Sequence, residues 1–344
     1  MEMKVDRKAA IKKLRTLVIT PKSEIEPFRN KIEETFSTVF LPNHVERTEH
    51  DYGGVKCDLL VPEVYASNRI MIYIHGGSFA GGSRDSYRAF CSSVASASSS
   101  RVVVPEFRLP PTYVYPASLE DLQMVFRMVY AEEQITMQLE EKDLVPEIVI
   151  AADGTGAALA VSLLLKLSDK YRKCVRNLVL LSPWLNFSSD SALITGKKIE
   201  DEVVSGASLH RAVDLYTYAS NYSNPLVSPL KAPMQNFIGF PEVYIQMGEE
   251  EITLDEAHQF ADLLKQADVT CILDVWPKMM FMFQMADEYL SESHLAVEKV
   301  GHYISIRDDK KRNDIDIKSE LMKKIDSGLL KKNSVVEEKK LLDF

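Results

Sequence analysis

Residues 75–82 read His-Gly-Gly-Ser-Phe-Ala-Gly-Gly and directly follow the apolar segment Arg69–Ile74. Residues 152–156 read Ala-Asp-Gly-Thr-Gly and follow a second apolar segment, Glu147–Ala151. These two loops hold six of only 14 glycines in the chain. Because glycine is needed where a backbone turns sharply or approaches a ligand closely, we expect the functional chemistry at these loops.

Short apolar segments recur along the chain and alternate with segments of helical periodicity. The predicted strands are Val55–Val61, Arg69–Ile74, Arg101–Pro105, Glu147–Ala151, Asn177–Leu181, Val243–Met247 and Thr270–Trp276. The predicted helices cover about 85–99, 118–131, 156–169, 255–267 and 286–304. Near-continuous apolar strands are typical of a parallel sheet that is buried on both faces. The alternation predicts an α/β fold, with a mostly parallel central sheet and helices on both faces.

Two regions depart from this alternation. Residues 1–45 have two helical patterns that are broken near Thr20–Pro21, and residues 187–220 are polar before a helical pattern. Ligands of α/β sheets bind beyond the carboxyl ends of the strands, where inserted segments form lids. We therefore predict a helical lid or cap at 1–50, a body at 51–304 with a cap insertion at about 187–220, and a charged extension at 305–344.

Composition excludes several classes of protein. The 344 residues carry a net charge of −9, and the 40-residue extension, with 11 basic and nine acidic residues, leaves −11 on the first 304. An acidic body disfavours nucleic acid as a partner. There is no apolar run of signal-peptide or transmembrane type, and the four cysteines lie far apart. We expect a cytoplasmic protein with reduced thiols, no cofactor, no metal and no transmembrane segment.

Five motifs in order resemble the hormone-sensitive-lipase family of α/β-hydrolases, which are carboxylesterases and lipases. His75–Gly82 resembles the family's HGGGF oxyanion loop, and Asn224–Leu230 resembles its DPLVSPL segment. The other matching segments are Phe107–Pro111 with Tyr115–Ala117 and Glu120–Asp121, Leu181–Leu185, and Trp276–Pro277. The resemblance implies the α/β-hydrolase fold with a helical cap, and it alone implies a homodimer.

The resemblance also places the catalytic triad, and two of its three positions carry the wrong chemistry. Acyl transfer needs a nucleophilic hydroxyl on a strained turn, a histidine that takes its proton and a carboxylate that orients the histidine. The family's GDSAG aligns with residues 152–156, which places Gly154 at the nucleophile. The acid position maps to Glu251, and PGMIHGF aligns with residues 277–283, which places Phe281 at the base. The triad is therefore expected to be degenerate, with no catalytic residue set intact.

The expected site is lined by the first loop and the turn. His75 begins the loop as a structural histidine, and Ser78 replaces the third glycine while leaving the N–H groups of Gly76 and Gly77. The remaining lining residues are Phe79, Asp153 and Thr155. An open pocket would be lined by these residues, Gly154 and Phe281, under an N-terminal lid. A collapsed pocket would instead be filled by Phe281 and the side chains of Met279–Met285.

Three functions remain open from the sequence. The first is a pseudoenzyme that binds a small apolar or acyl-like ligand or a protein partner. The second is a carboxylesterase or lipase that uses other groups, such as Thr155 or Ser78. The third is a nucleotide-binding protein, because residues 154–156 weakly resemble GxGxxG, although Leu159 stands at its third glycine. The histidines outside the loop are expected in surface or core roles: His44, His50, His210, His258, His294 and His302.

Overall fold

A computed structural model describes residues 6–37, 44–139, 146–188, 190–191 and 201–305. Its centre is a single eight-stranded sheet in the order β1-β2-β4-β3-β5-β6-β7-β8. The strands are β1 Val45–Tyr52, β2 Val55–Pro62, β3 Arg69–Ile74, β4 Arg101–Pro105, β5 Glu147–Asp153, β6 Val175–Leu181, β7 Glu242–Gly248 and β8 Cys271–Trp276. Strands β3 to β8 run parallel, whereas β2 pairs antiparallel with both β1 and β4. The predicted, mostly parallel α/β sheet is confirmed.

Helices connect the parallel strands as the periodicity predicts. They are α1 Arg7–Leu14, α2 Ile25–Phe36, α3 Arg84–Ser98, α4 Ala117–Leu139, α5 Gly154–Lys166, α6 Asp169–Arg172, α7 Gly206–Tyr216, α8 Leu254–Gln266 and a last helix at 291–305. Helix α4 packs on α5. Gly301 of the last helix lies so close to α3 that an added Cβ would meet the Ala97 carbonyl oxygen at 2.1 Å. None of the helices in the described part of the chain is long and apolar enough to cross a bilayer.

Strand β1 was missed by the sequence analysis. Its sequence, Val-Glu-Arg-Thr-Glu-His-Asp-Tyr, is mostly exposed, because β1 lies at the sheet edge and pairs only with β2. The edge needs no apolar run, so the pattern typical of buried strands is absent. The predicted lid boundary at residue 50 is therefore wrong, since Val45–Tyr52 belongs to the sheet.

The core lies between the sheet and its helices. Every residue of β3 is buried, and helix α5 is buried from Gly154 to Leu164. This burial explains why β3 and α5 read as continuous apolar runs rather than amphipathic segments. All four cysteines are free thiols, as expected. The charged extension lies outside the described residues, except for Ser305. Residues 192–200 of the predicted cap insertion also lie outside them.

The two N-terminal helices pack over the carboxyl ends of the strands. Helix α2 covers the first glycine loop so closely that a Cβ on Gly81 would lie 2.7 Å from Ile32 and 2.8 Å from Phe28. Arg7 of α1 pairs with Glu202 at 2.6 Å, and it also contacts Glu250. The predicted helical break at Thr20–Pro21 is confirmed, because it falls between α1 and α2.

Candidate functional site

The turn after β5 has the backbone of a strand-to-helix elbow. Strand β5 ends at Asp153 and helix α5 begins at Gly154, whose φ is +48°. Two residues later, an added Cβ on Gly156 would lie 2.2 Å from the Ile74 carbonyl oxygen, so only glycine lets α5 approach β3 this closely. Gly154, the first residue of the helix, thus has the left-handed conformation of an elbow, but it carries no side chain.

The aromatic ring of Phe281 lies directly over that position. A Cβ added to Gly154 would be 3.3 Å from Cζ of Phe281. The ring is 4 % exposed, and its centroid lies 5.4 Å from that of Trp184. A phenyl ring has no nitrogen to accept or return a proton, so the pair cannot perform acid–base chemistry.

The third predicted position, Glu251, is connected to the same loop through a serine. Its Oε1 accepts hydrogen bonds from Ser182 Oγ at 2.8 Å and from the Gly248 N–H. Ser182 Oγ in turn accepts the Met282 N–H at 3.0 Å. The chain Glu251–Ser182–Met282 therefore joins the acid position to the residue after Phe281. The structure brings the three predicted triad positions to one site.

Glu251 has no histidine to orient. Its Oε2 has no hydrogen-bond partner in the described part of the chain. Burial raises the pKa of the Glu251 carboxyl to about 8, although the hydrogen bonds from Gly248 and Ser182 lower it in part. The group is therefore largely protonated at neutral pH, which is unsuited to stabilising an imidazolium.

The first glycine loop is held by hydrogen bonds within the site. The Gly76 N–H donates to Asp153 Oδ1 at 3.0 Å, and the Phe79 N–H donates to Thr155 Oγ1 at 2.9 Å. The expectation that the Gly76 N–H remains available to a substrate is therefore wrong, because the Asp153 carboxylate already accepts it. Gly77 has φ +76°, and an added Cβ there would meet the Gly81 carbonyl oxygen at 2.3 Å.

Ser78 ties the N-terminal segment onto this loop. Its Oγ donates to the Leu17 carbonyl at 3.1 Å and accepts the Ile19 N–H at 3.1 Å. Ser78 itself is 2 % exposed and has φ +55°. Ser78, which stands where the family motif has its third glycine, thus holds the N-terminal segment over the loop.

Asp153 and His75 have structural surroundings. Asp153 accepts the hydroxyls of Tyr73 and Tyr87, each at 3.0 Å, and burial raises its pKa to about 7. The His75 ring stacks on Phe107 at 4.4 Å, and burial lowers its pKa to about 4. His75 is therefore neutral at pH 7 and holds the loop by packing.

Aromatic side chains fill the volume where a substrate would bind. Phe79 stacks on Tyr216 of α7 at 4.1 Å and lies 5.2 Å from Phe187. Phe79, Thr155 and Phe281 are each at most 4 % exposed. Met282 is completely buried. Of the two arrangements considered from the sequence, the structure has the filled one.

Sequence reasoning missed some residues of this site. Ser182 was noted only as part of a motif, although a hydroxyl directly after β6 was a signal for a bond near the carboxyl ends of the strands. Tyr216 reaches the site from the cap insertion, and no local pattern revealed this. The histidine in the insertion, His210, pairs with Asp214 at 2.9 Å on the surface. No group of metal-ligating side chains occurs among the residues described.

Comparison with known proteins identifies the same fold. The model of a family described as "alpha/beta hydrolase fold" matches residues 71–285. An acetyl-hydrolase of Streptomyces hygroscopicus is 27% identical over 288 residues, which is 83% of this chain and 91% of that protein. An esterase of Acinetobacter venetianus is 27% identical, over 74% of this chain and 80% of its own. The crystal structure of an esterase from the bacterial hormone-sensitive lipase family superposes with a TM-score of 0.74 at 25% identity, covering 86% of this chain and 96% of that one.

Proposed function

Since the chain belongs to the α/β-hydrolase fold family, among relatives that are esterases, we propose that it is a non-catalytic member of the family. The observation that carries the proposal is the Phe281 ring, which lies 3.3 Å from where a Cβ of residue 154 would be. The nucleophile and the base are both missing there. Loss of either group from a serine hydrolase costs about 10⁶-fold in kcat, so ester hydrolysis by the family mechanism is negligible.

The filled site supports a role through a protein partner rather than through a small apolar or acyl-like ligand bound at Gly154. A pocket for a small-molecule ligand has an open volume of about 300 Å³ or more. Here the oxyanion loop and Phe281 are shut off from solvent. A cytoplasmic location is part of the same proposal, and the four free thiols support it.

An active carboxylesterase with other catalytic groups is the alternative. It would require Thr155 or Ser78 as the nucleophile. The Thr155 hydroxyl accepts the Phe79 N–H, and the Ser78 hydroxyl is bonded to residues 17 and 19. Both side chains are buried, at 1 % and 2 % exposure, so neither is placed to attack an ester.

Ester turnover and covalent labelling test the proposal directly. The purified chain should hydrolyse p-nitrophenyl acetate and butyrate no faster than buffer, and a fluorophosphonate probe should not label it. An active acetyl-hydrolase serves as the positive control. Turnover that Thr155→Ala or Ser78→Ala abolishes would instead establish the alternative.

The double variant Gly154→Ser/Phe281→His tests whether only the reacting groups are missing. The variant restores a hydroxyl and an imidazole at positions where an added Cβ and the ring are 3.3 Å apart, with Glu251 joined to the same loop through Ser182. We expect little turnover even so, because the Gly76 N–H donates to Asp153 and the aromatic side chains still fill the substrate volume. Far-UV circular dichroism shows whether the fold persists. Esterase turnover in the folded variant would mean that the pocket opens to substrate.

A further inference from the structure

A groove with a cationic rim runs along the N-terminal helices. It encloses about 860 Å³ between α1, the segment after it and α2. We call it the basic groove; its cationic residues are Lys8, Lys12, Arg15, Lys22 and Lys31, all exposed. Its walls are formed in part by the apolar residues Ile11, Val18, Pro27 and Phe28.

The charge of the basic groove is not neutralised within the described structure. None of its four lysines forms an ion pair with a described residue, and Arg15 donates to the backbone oxygen of Glu202 rather than to a carboxylate. The carboxylates that line the groove are Glu24 and Glu202, and Glu202 already pairs with Arg7. The groove therefore offers at least three uncompensated positive charges.

This concentration of charge contrasts with the rest of the chain. Residues 1–37 carry a net charge of +3, whereas residues 38–304 carry −14. A positive groove on an otherwise acidic protein attracts anionic partners and orients them towards one face. Charge complementarity thus selects an acidic occupant, and it disfavours the extension at 305–344, whose net charge is +2.

We propose that the basic groove docks an acidic segment of a partner protein. Lys8 and Lys12 lie one turn apart on one face of α1, and Arg15 directly follows the helix, so the three match carboxylates spaced along a peptide. Lys31 faces the same groove from α2. Pro27, the exposed apolar residue of the walls, can receive an apolar side chain that lies between the carboxylates.

The same observations favour a peptide over a membrane or a nucleic acid. None of the large hydrophobic side chains exposed in the described structure lies within residues 6–37, so nothing there would insert into a bilayer. The aromatic side chain in the groove, Phe28, is buried and offers no stacking surface for bases. A concave groove also excludes a flat lipid surface from its walls.

The basic groove lies directly behind the segment that covers the site. Val18 contributes to its wall, while the neighbouring Leu17 and Ile19 form backbone hydrogen bonds with Ser78. The docking surface is thus separate from the reacting positions. The inference holds whether or not the site hydrolyses esters, so its failure is distinguishable from failure of the proposed function.

Fluorescence anisotropy with a fluorescein-labelled peptide of repeated Glu-Glu-Leu tests the inference on the full chain. The variant Lys8→Glu/Lys12→Glu/Lys31→Glu should bind the peptide about tenfold more weakly or worse, because three attractive charges become repulsive. The control Lys166→Glu/Lys173→Glu/Lys265→Glu changes the net charge equally at exposed lysines elsewhere and should bind nearly as the unmodified chain does. Binding should weaken as salt concentration rises.

Several outcomes overturn the proposal. They are equal weakening in the two variants, no binding by the unmodified chain, and preference for phosphatidylserine vesicles over the peptide. A dimer in sedimentation velocity that the groove variant loses, without peptide binding, would assign the groove to a second copy of the chain. Thermal unfolding checks that the variants fold. If the glutamate variant does not fold, the variant Lys8→Gln/Lys12→Gln/Lys31→Gln must still weaken binding, or the proposal fails.

Discussion

The elbow after β5 and the loop after β8 have departed from an esterase site in different ways. The elbow keeps the tight turn, with Gly154 at φ +48° and Gly156 against the carbonyl of Ile74, and lacks only a side chain. The loop after β8 places the bulky, buried side chains Phe281 and Met282 where the family motif has histidine and glycine. One region has lost a reacting group, whereas the other has become part of the core.

The difference shows that the shape of the elbow does not depend on catalysis. Asp153 receives three hydrogen bonds, from Tyr73, Tyr87 and the Gly76 N–H, and these fix the strand end whatever follows it. The loop after β8 is held chiefly through its backbone: the Lys278 N–H donates to Glu249, the Met279 carbonyl accepts the Glu250 N–H, and the Met282 N–H donates to Ser182. None of these bonds uses the side chain of Phe281 or Met282, so apolar side chains can pack there without breaking them.

The largest expected effect is at the apolar loop. Replacing Phe281 by alanine removes a buried ring and leaves a cavity beside Gly154, which should lower the free energy of unfolding by about 3–5 kcal/mol. Urea denaturation measures the loss. The control Phe260→Ala removes an equally buried ring far from the site. A loss below about 1 kcal/mol at residue 281, against the full cost at residue 260, would contradict a core role for the ring.

The elbow should be sensitive at one glycine and tolerant at the other. Gly156→Ala places a Cβ against the rigid backbone of Ile74, so we expect a loss of about 3 kcal/mol. Gly154→Ala meets only the ring of Phe281, and its main cost is the left-handed backbone, at about 1–2 kcal/mol. Urea denaturation of the two single variants compares them. Equal costs would show that the turn, and not the close approach of α5, limits the elbow.

A smaller effect is expected where the N-terminal segment covers the site. Ser78→Ala removes the hydrogen bonds to Leu17 and Ile19, at a cost of about 1–2 kcal/mol. Hydrogen exchange should become faster at the Ile19 amide, while the amides of the core strand β5 should exchange as slowly as in the unmodified chain. The control Ser93→Ala removes a hydroxyl that bonds only within α3, to the carbonyl of Ala89. Unchanged exchange at residue 19 would contradict the covering role.

The last effect is a change in pH dependence at the acid position, and at acid pH it is the smallest of the four. Burial raises the pKa of Glu251 from 4.5 to about 8, so the folded chain holds a proton that the unfolded chain releases. Stability from this group is complete below pH 4.5 and declines as the pH rises through 8. Glu251→Gln resembles the protonated acid, so its stability relative to the unmodified chain should rise by several kcal/mol between about pH 4.5 and pH 8 and change little below pH 4.5. Thermal unfolding across pH measures the difference; a constant offset at every pH would contradict it.

The fold and the positions of the site could be predicted from the sequence, because each motif directly follows a strand and the motifs occur in the family's order. The glycines of the two loops and the apolar runs before them identified β3, β5 and the elbow. Strand β1 escaped prediction because an exposed edge strand needs no apolar run. Ser182 linking Glu251 to Met282 also escaped, since contacts between separate strand ends leave no local pattern.

The filled state of the site could not be decided from sequence. Phe281 and its methionine neighbours suit either a lined pocket or a packed core, and only side-chain placement distinguishes them. The stacking of Phe79 on Tyr216 decides the matter, and it joins residues from the first loop and the cap insertion. Such long-range packing depends on the whole fold rather than on any segment.

Arg7 joins helix α1 to three segments around the site. Its guanidinium contacts Glu202 in the cap insertion, Glu250 before the acid position and the Lys278 carbonyl before Phe281. Segments with few buried contacts open first and are then cut by proteases. Helix α1 should resist cleavage until the loop after β8 loosens, so the helix and the loop open as one cooperative unit.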